Sequence, residues 1–218
     1  MRVAVIGATG FVGSQIVNEL ANRNYSVKAF ARNTDKILQH KNVAAVKVDV
    51  NNVDELANDL KGADVVVSAF NAGWTNPNIY DDFIKGAKAI EEATKKAGVK
   101  RLIVIGGAGS LYVNDAKELQ LVDAPGFPEE IKPGATAARD YFDILKNDQE
   151  LDWTFFSPAP EMHQGTSGVR KATYRLGTDV PVFDESGHSI LSVEDVAVVI
   201  VDEVQSVKHI KQRFTAAY

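Results

Sequence analysis

The chain opens Met1-Arg-Val-Ala-Val-Ile-Gly-Ala-Thr-Gly-Phe-Val-Gly13 and continues Ser14-Gln-Ile-Val-Asn-Glu-Leu20. The apolar run from Val3 to Ile6 reads as a buried strand that stops at Gly7. Gly10 and Gly13 follow at three-residue spacing, and Phe11, Val12, Ile16, Val17 and Leu20 then fall on one face of a helix. A sharp turn out of a strand needs glycine at position 7. A bare Gly10 lets an anion approach the backbone, and Gly13 lets helix and strand pack closely. The helix start offers unpaired N–H groups and the positive end of its dipole. Strand, glycine turn and helix in this order are the setting in which the spacing forms a dinucleotide pyrophosphate site. A tight turn without a ligand is the competing reading.

At 218 residues the chain suits one α/β domain, and its 45% hydrophobic and 24% charged residues are ordinary for a folded protein. A net charge of −5 argues against nucleic acid as the main partner, because no basic stripe is available to displace counterions. The absence of cysteine excludes disulfides, thiolate nucleophiles and Cys-ligated metals. His40, His163, His188 and His209 are scattered, so no spacing predicts a metal site. No signal peptide precedes the first strand and no apolar run reaches membrane-spanning length; the expectation is a cytoplasmic protein without a membrane partner. No heptad or self-complementary motif predicts an oligomer.

Strand-like and helix-like patterns alternate after the glycines. Tyr25–Ala31, Val43–Val48, Asp64–Ala69, Arg101–Ile105 and Trp153–Phe156 read as strands. Val53–Leu60, residues 79–97 and residues 136–147 read as helices. In the second of these Phe83, Ala87, Ile90 and Thr94 share a face; in the third Ala138, Tyr141, Phe142 and Leu145 do. This alternation predicts a Rossmann-type, doubly wound parallel sheet with helices on both faces, in strand order 3-2-1-4-5-6, and ligands beyond the carboxyl ends of its strands. Residues 157–192 are looser and predict a small substrate-side excursion, with short strands at Ala172–Leu176 and Val180–Phe183. Ser192 then caps a helix over Val193–Val204, and Gln212–Ala217 reads as a last strand.

The second strand speaks to the choice of nucleotide. An NAD site places an acid at its end, about twenty residues past the glycines, to hold the ribose 2′-hydroxyl. Here it ends Phe30-Ala31-Arg32, with no acid until Asp35. A guanidinium at Arg32 pairs bidentately with a 2′-phosphate, so NADP(H) is expected over NAD(H). Asp49, followed by Val50, is placed either to meet the adenine edge or to cap the next helix. Ala69-Phe70-Asn71 closes the fourth strand and is expected beside the ribose and pyrophosphate. Gly106-Gly107-Ala108-Gly109 either lets the chain approach the nicotinamide or is a plain turn.

Together Gly7-Ala-Thr-Gly-Phe-Val-Gly13, Arg32, Asp49-Val50, Gly106-Gly-Ala-Gly-Ser110, Tyr174-Arg-Leu-Gly177, Ser192-Val-Glu-Asp195 and Arg213-Phe-Thr215 resemble the atypical short-chain dehydrogenase/reductases. The nearest branch is the group of NADH-flavin reductase, NmrA-like and biliverdin-IXβ-reductase-like proteins. The resemblance implies that Thr9, Phe11 and Val12 join the glycines against the nucleotide, with Pro158 beside it. It also implies reduction of flavins, quinones or similar conjugated acceptors, a flavin thus being a substrate.

The larger superfamily pairs a Ser or Thr after the fifth strand with Tyr-x-x-x-Lys on the next helix, the phenol acting as proton donor. Tyr141 is followed four residues on by Leu145, and Lys146 is one place late and rotated off that face. Tyr112 has Ala116 at the same offset. Without the pair, an acceptor that is already conjugated is the better substrate, because alignment and exclusion of water supply most of the rate. Ser110, Tyr112 and the segment from Pro158 to His163 are expected on the acceptor side, with His163 a candidate proton donor. Phe70 or Trp74 is a candidate to stack on a flat ring. Packing is the alternative for Trp74 and Tyr112, and an exposed loop position is the alternative for His163. Two rival functions remain: an NmrA-type redox sensor that binds the dinucleotide without turnover, and a nucleotide-sugar epimerase, which the missing Tyr and Lys disfavour.

Overall fold

In the computed structural model, which describes residues 1–218, the opening apolar run is β1 (Arg2–Ile6), buried at every position after Arg2. A strand buried on both faces sits in the middle of a parallel sheet. β1 pairs in parallel with β2 (Ser26–Ala31) on one side and β4 (Val65–Ser68) on the other, so that Val3 faces both Val27 and Val65. Outward from these lie β3 (Val43–Lys47) and, on the opposite side, β5 (Arg101–Ile105) and β6 (Asp152–Phe156). β8 (Gln212–Ala217) continues the sheet in parallel beside β6, and β7 (Arg175–Gly177) closes the edge antiparallel to β8. The full order is β3-β2-β1-β4-β5-β6-β8-β7, which contains the expected 3-2-1-4-5-6.

Alternating residues of each strand feed two cores. Val3, Val5, Val27 and Val67 point toward α1 (Phe11–Asn22) and α5 (Val193–Ser206). Ala4, Ile6, Phe30 and Val66 point toward α2 (Val53–Leu60), α3 (Ile79–Lys96) and α4 (Lys132–Leu145). The period of two is the pleat's own. Ile16, Val17 and Leu20 of α1 pack in one core with Val196, Val199 and Ile200 of α5.

Several boundaries differ from the sequence reading, each for a local reason. Phe11, assigned to the buried face of α1, is 39% exposed; Gly13 takes that place in the packing. α4 begins at Lys132 rather than residue 136, with Pro133 in its first turn, where a missing N–H leaves no bond unmade. The strand expected at Ala172–Leu176 contracts to β7, because Ala172 has a left-handed φ of +56°. Val180–Phe183 is not a strand; Pro181 removes a donor there. No helix is long and apolar enough to cross a membrane.

Candidate functional site

The turn after β1 is built from backbone. Gly7 has φ +78°, and the N–H groups of Gly7 and Ala8 both donate to the carbonyl of Phe30 at 3.1 Å. A Cβ on Gly7 would lie 2.4 Å from the Ala69 carbonyl oxygen, and one on Gly13 would lie 2.1 Å from that of Gly7. Both glycines are therefore demanded by the chain's own packing. Gly10 differs: the nearest atom to a Cβ there is the Gly7 oxygen, at 3.2 Å, and beyond it is open space. Gly10 is also the N-cap of α1 and supplies no side chain to its first amides. α2, α3 and α5 carry acids in their first turns, whereas α1 and α4 have none, and of these two only the α1 end opens behind the glycine turn. An uncapped positive helix end behind open space fits a diphosphate.

That space is a cleft of about 380 Å³ across the carboxyl ends of β1 to β4. Gly7, Thr9 and Gly10 line it from the turn, Arg32 from the end of β2, and Asp49 and Val50 from the end of β3. Ala69, Phe70 and Asn71 line it from the end of β4. Asp49 does not cap α2, a role Asn52 fills by accepting from the Glu55 N–H. Instead its Oδ1 accepts from the backbone and the side-chain amide of Asn51, both at 2.9 Å. The backbone bond is the largest influence; with the Asn51 amide and the positive charges of Arg32 and Lys85 it outweighs burial and holds the Asp49 carboxyl below its ordinary range.

Sequence reasoning missed Asn51, Asn76, Asp82 and Lys85, which also line the cleft. Asp82 and Lys85 lie three apart on one face of α3, a spacing visible in the chain, but only the packing of α3 turns that face toward β3. Neither Arg32 nor Lys85 takes part in an intramolecular ion pair. A larger depression, about 430 Å³, opens between α5 and β8. Its polar groups answer one another: the Tyr174 hydroxyl donates to Asp202 at 2.7 Å, and His209 Nδ1 lies 2.7 Å from Glu203. Arg32 and Lys85, by contrast, face the cleft with no acidic partner in an ion pair.

The side chains of the other expected positions do not line the cleft. Phe11 and Val12 bring only their backbone N–H groups, in the first turn of α1, while the Phe11 side chain faces solvent, that of Val12 packs against the core, and Gly13 serves the turn. Gly106 gives room to Phe155, whose ring would lie 2.0 Å from a Cβ there; Gly107 borders Ala138, and Pro158 is buried. Ser110 is fully buried, its hydroxyl 3.0 Å from both the Gly107 carbonyl and the Ser157 hydroxyl, so it does not open onto the cleft. Tyr112 is half-buried beneath the Arg213 guanidinium, 5.6 Å from its ring. His163 is exposed on a separate loop, its Nδ1 accepting the Gly165 N–H at 3.0 Å, and is not assembled with the other two. Tyr141 is turned into the core, where its hydroxyl bonds Glu91 at 3.3 Å, and burial is the main cause that raises its pKa well above the ordinary value.

Arg213, quoted above only as part of the tail, proves to be a structural hub. From β8 its guanidinium donates to the Ser110 carbonyl at 2.5 Å and to Asp179 at 2.5 and 3.0 Å, while Lys117 reaches the same carboxylate at 2.6 Å. One buried side chain thus ties the loop after β5 to the loop after β7.

Comparison with known proteins gives this geometry a family. The uncharacterized protein YwnB of Bacillus subtilis (strain 168) is 34% identical over 215 residues, covering 99% of this chain and 97% of its own length. A crystal structure from Bacteroides thetaiotaomicron, described provisionally as an epimerase, is 43% identical with a TM-score of 0.90 over 100% of this chain and 96% of that one. Another from Streptococcus pneumoniae TIGR4, described provisionally as an NADH-flavin reductase, is 35% identical with a TM-score of 0.84 over 100% of this chain and 99% of its own. The family model described as NAD(P)H-binding matches residues 7–206, from the first glycine of the turn to the last residue of α5. With a glycine-turn cleft at the carboxyl ends of a Rossmann-type sheet, the chain belongs to the NAD(P)H-binding family.

Proposed function

We propose that the protein is an NADP(H)-dependent reductase that delivers a hydride to a flat conjugated acceptor such as a flavin or quinone. The observation that carries this reading is the cleft, where backbone amides stand ready for a diphosphate and the free Arg32 guanidinium occupies the end of β2. A carboxylate there would favour a ribose hydroxyl; a guanidinium favours a 2′-phosphate. When bound, the nicotinamide supplies a hydride, and with one proton from solvent the acceptor is reduced while the nucleotide is oxidised. The chain's own residues bind and orient: Gly10 leaves the amides open, Asp49 offers an acceptor at the adenine end, and the Arg213 hub holds the acceptor-side loops. The relative described as an NADH-flavin reductase supports the acceptor class. A small-molecule acceptor also suits a chain of net charge −5 better than nucleic acid does.

A second reading, a sensor that binds the nucleotide without turnover, draws on the burial of Ser110 after β5 and Tyr141 on α4, which withdraws both hydroxyls from solvent. Steady oxidation of NADPH by purified protein with FMN, FAD or a quinone separates the two. Sustained loss of NADPH absorbance supports the reductase. Tight NADPH binding with no turnover across that panel supports the sensor.

A further inference from the structure

We propose that the indole of Trp74 is the platform on which the flat acceptor stacks. Trp74 sits in the loop joining β4 to α3, and its neighbours Asn71, Ala72 and Asn76 line the nucleotide cleft. Those neighbours also hold the loop still. Asn71 Oδ1 accepts the Gly73 N–H at 2.7 Å, and Gly73 turns the chain with φ +102°. The Asn76 N–H donates to the Gly73 carbonyl at 3.0 Å, and its side-chain amide donates to Asp82 at 2.8 Å. A rigid loop thus carries a large aromatic that remains 57% exposed.

The second observation is the seat beneath it. Gly134 is buried in the first turn of α4, and a Cβ there would lie 2.8 Å from both the Trp74 ring and the Ile79 side chain. Glycine weakens a helix relative to alanine, and here it makes room for the indole and Ile79 together. The same helix end supports the loop after β5: a Cβ on Gly109 would lie 3.2 Å from that of Ala135, and one on Gly107 would lie 3.7 Å from that of Ala138. The indole and the Gly107–Gly109 segment therefore share one helical floor. Phe70, the alternative aromatic, lines the cleft but is half-buried and pinned to the core: its ring covers Gly86 and packs on Phe83 with centroids 5.9 Å apart. An indole supported from below and open above offers a π-face to a planar ring.

This inference rests on the reductase reading, and its test keeps the two apart. The chain has two tryptophans, and Trp153 is only 4% exposed, so fluorescence quenching by an acceptor reports on Trp74. With protein saturated in NADP⁺ and titrated with menadione, saturable quenching is expected in the wild type and its loss in Trp74→Phe. Trp74→Leu should weaken menadione about tenfold, in affinity by calorimetry and in KM, while Trp74→Phe stays within about threefold of wild type. NADPH affinity and melting temperature should hold in both. Quenching that persists in Trp74→Phe, or a Trp74→Leu variant that binds menadione normally, overturns the platform. Quenching lost in Trp74→Phe with no wild-type turnover keeps the platform and removes the reductase. Turnover without any Trp74 effect does the reverse, and neither quenching nor turnover removes both.

Discussion

At Gly10 and Gly13 the same residue type does two different jobs, and substitution separates them. A side chain at Gly13 collides with the Gly7 carbonyl inside the fold, so Gly13→Ala should cost about 2–3 kcal/mol of stability. Gly10→Val faces open cleft, so it should abolish nucleotide binding with little change in melting temperature. Unchanged NADPH affinity in that variant, measured by calorimetry, removes the diphosphate assignment. The proposed preference for NADP(H) rests on Arg32. A hydrogen bond to a charged group contributes about 1.5–3 kcal/mol, so Arg32→Ala should weaken NADPH about 10- to 100-fold and leave NADH nearly untouched. Equal losses for both nucleotides remove the preference for NADP(H). The placement of these residues at the turn and the cleft was legible because spacing and residue type alone point there. Lys85 was not, since no local pattern says which face of α3 meets the cleft.

Among the elements, β8 contributes more than a strand. Arg213 joins it to two loops, and its partner Asp179 shows the charge balance. Burial pushes the Asp179 carboxyl up, but hydrogen bonds and charge from Lys117 and Arg213 outweigh it and hold the group below its ordinary value. A depressed folded-state pKa gives stability that is present above the unfolded value, about 3.9, and is lost as pH falls through the folded one. The melting temperature should therefore drop as the solution is taken from about pH 5 toward pH 3, and drop less in Asp179→Asn. Equal slopes in the two proteins would sink the argument. Arg213→Met leaves Asp179 facing Lys117 alone; that carboxylate is partly solvated, so the cost should sit near the low end for a broken pair, about 3 kcal/mol. For a chain of this size that is about 6–12 °C in Tm. Helices and central strands were readable from periodicity. Ser110, Tyr112 and His163 were not, because loops after β5 and β6 set their direction and Ser110 finds Ser157 from a different strand end. The segment 157–192 was the least readable, with proline and left-handed residues where alternation suggested strands.

Across the whole molecule, the cleft spans four strands, so filling it should stabilise the fold as a unit. A ligand at a hundredfold over its Kd adds about 2.7 kcal/mol, which for this chain length is about 5–10 °C in Tm. NADPH should reach that shift at lower concentration than NADH, and thermal unfolding followed by circular dichroism reads it directly. Identical concentration dependence for the two nucleotides would contradict the role of Arg32. The sheet's seven-strand parallel run, with its antiparallel edge, was only partly foreseeable: six strands follow from alternation, while the pairing of β8 beside β6 joins segments far apart in the chain.

The packing of α1 against α5 has a consequence for synthesis on the ribosome. Ile16, Val17 and Leu20 are made early, yet the side chains that cover them, Val196 to Val204, emerge some 180 residues afterwards. A growing chain can pair its first strands long before the helix behind the glycine turn acquires its cover. The turn and helix behind the cleft therefore gain their full cover only once α5 has been translated, and a chain stalled before it would present a greasy, unshielded α1 to chaperones.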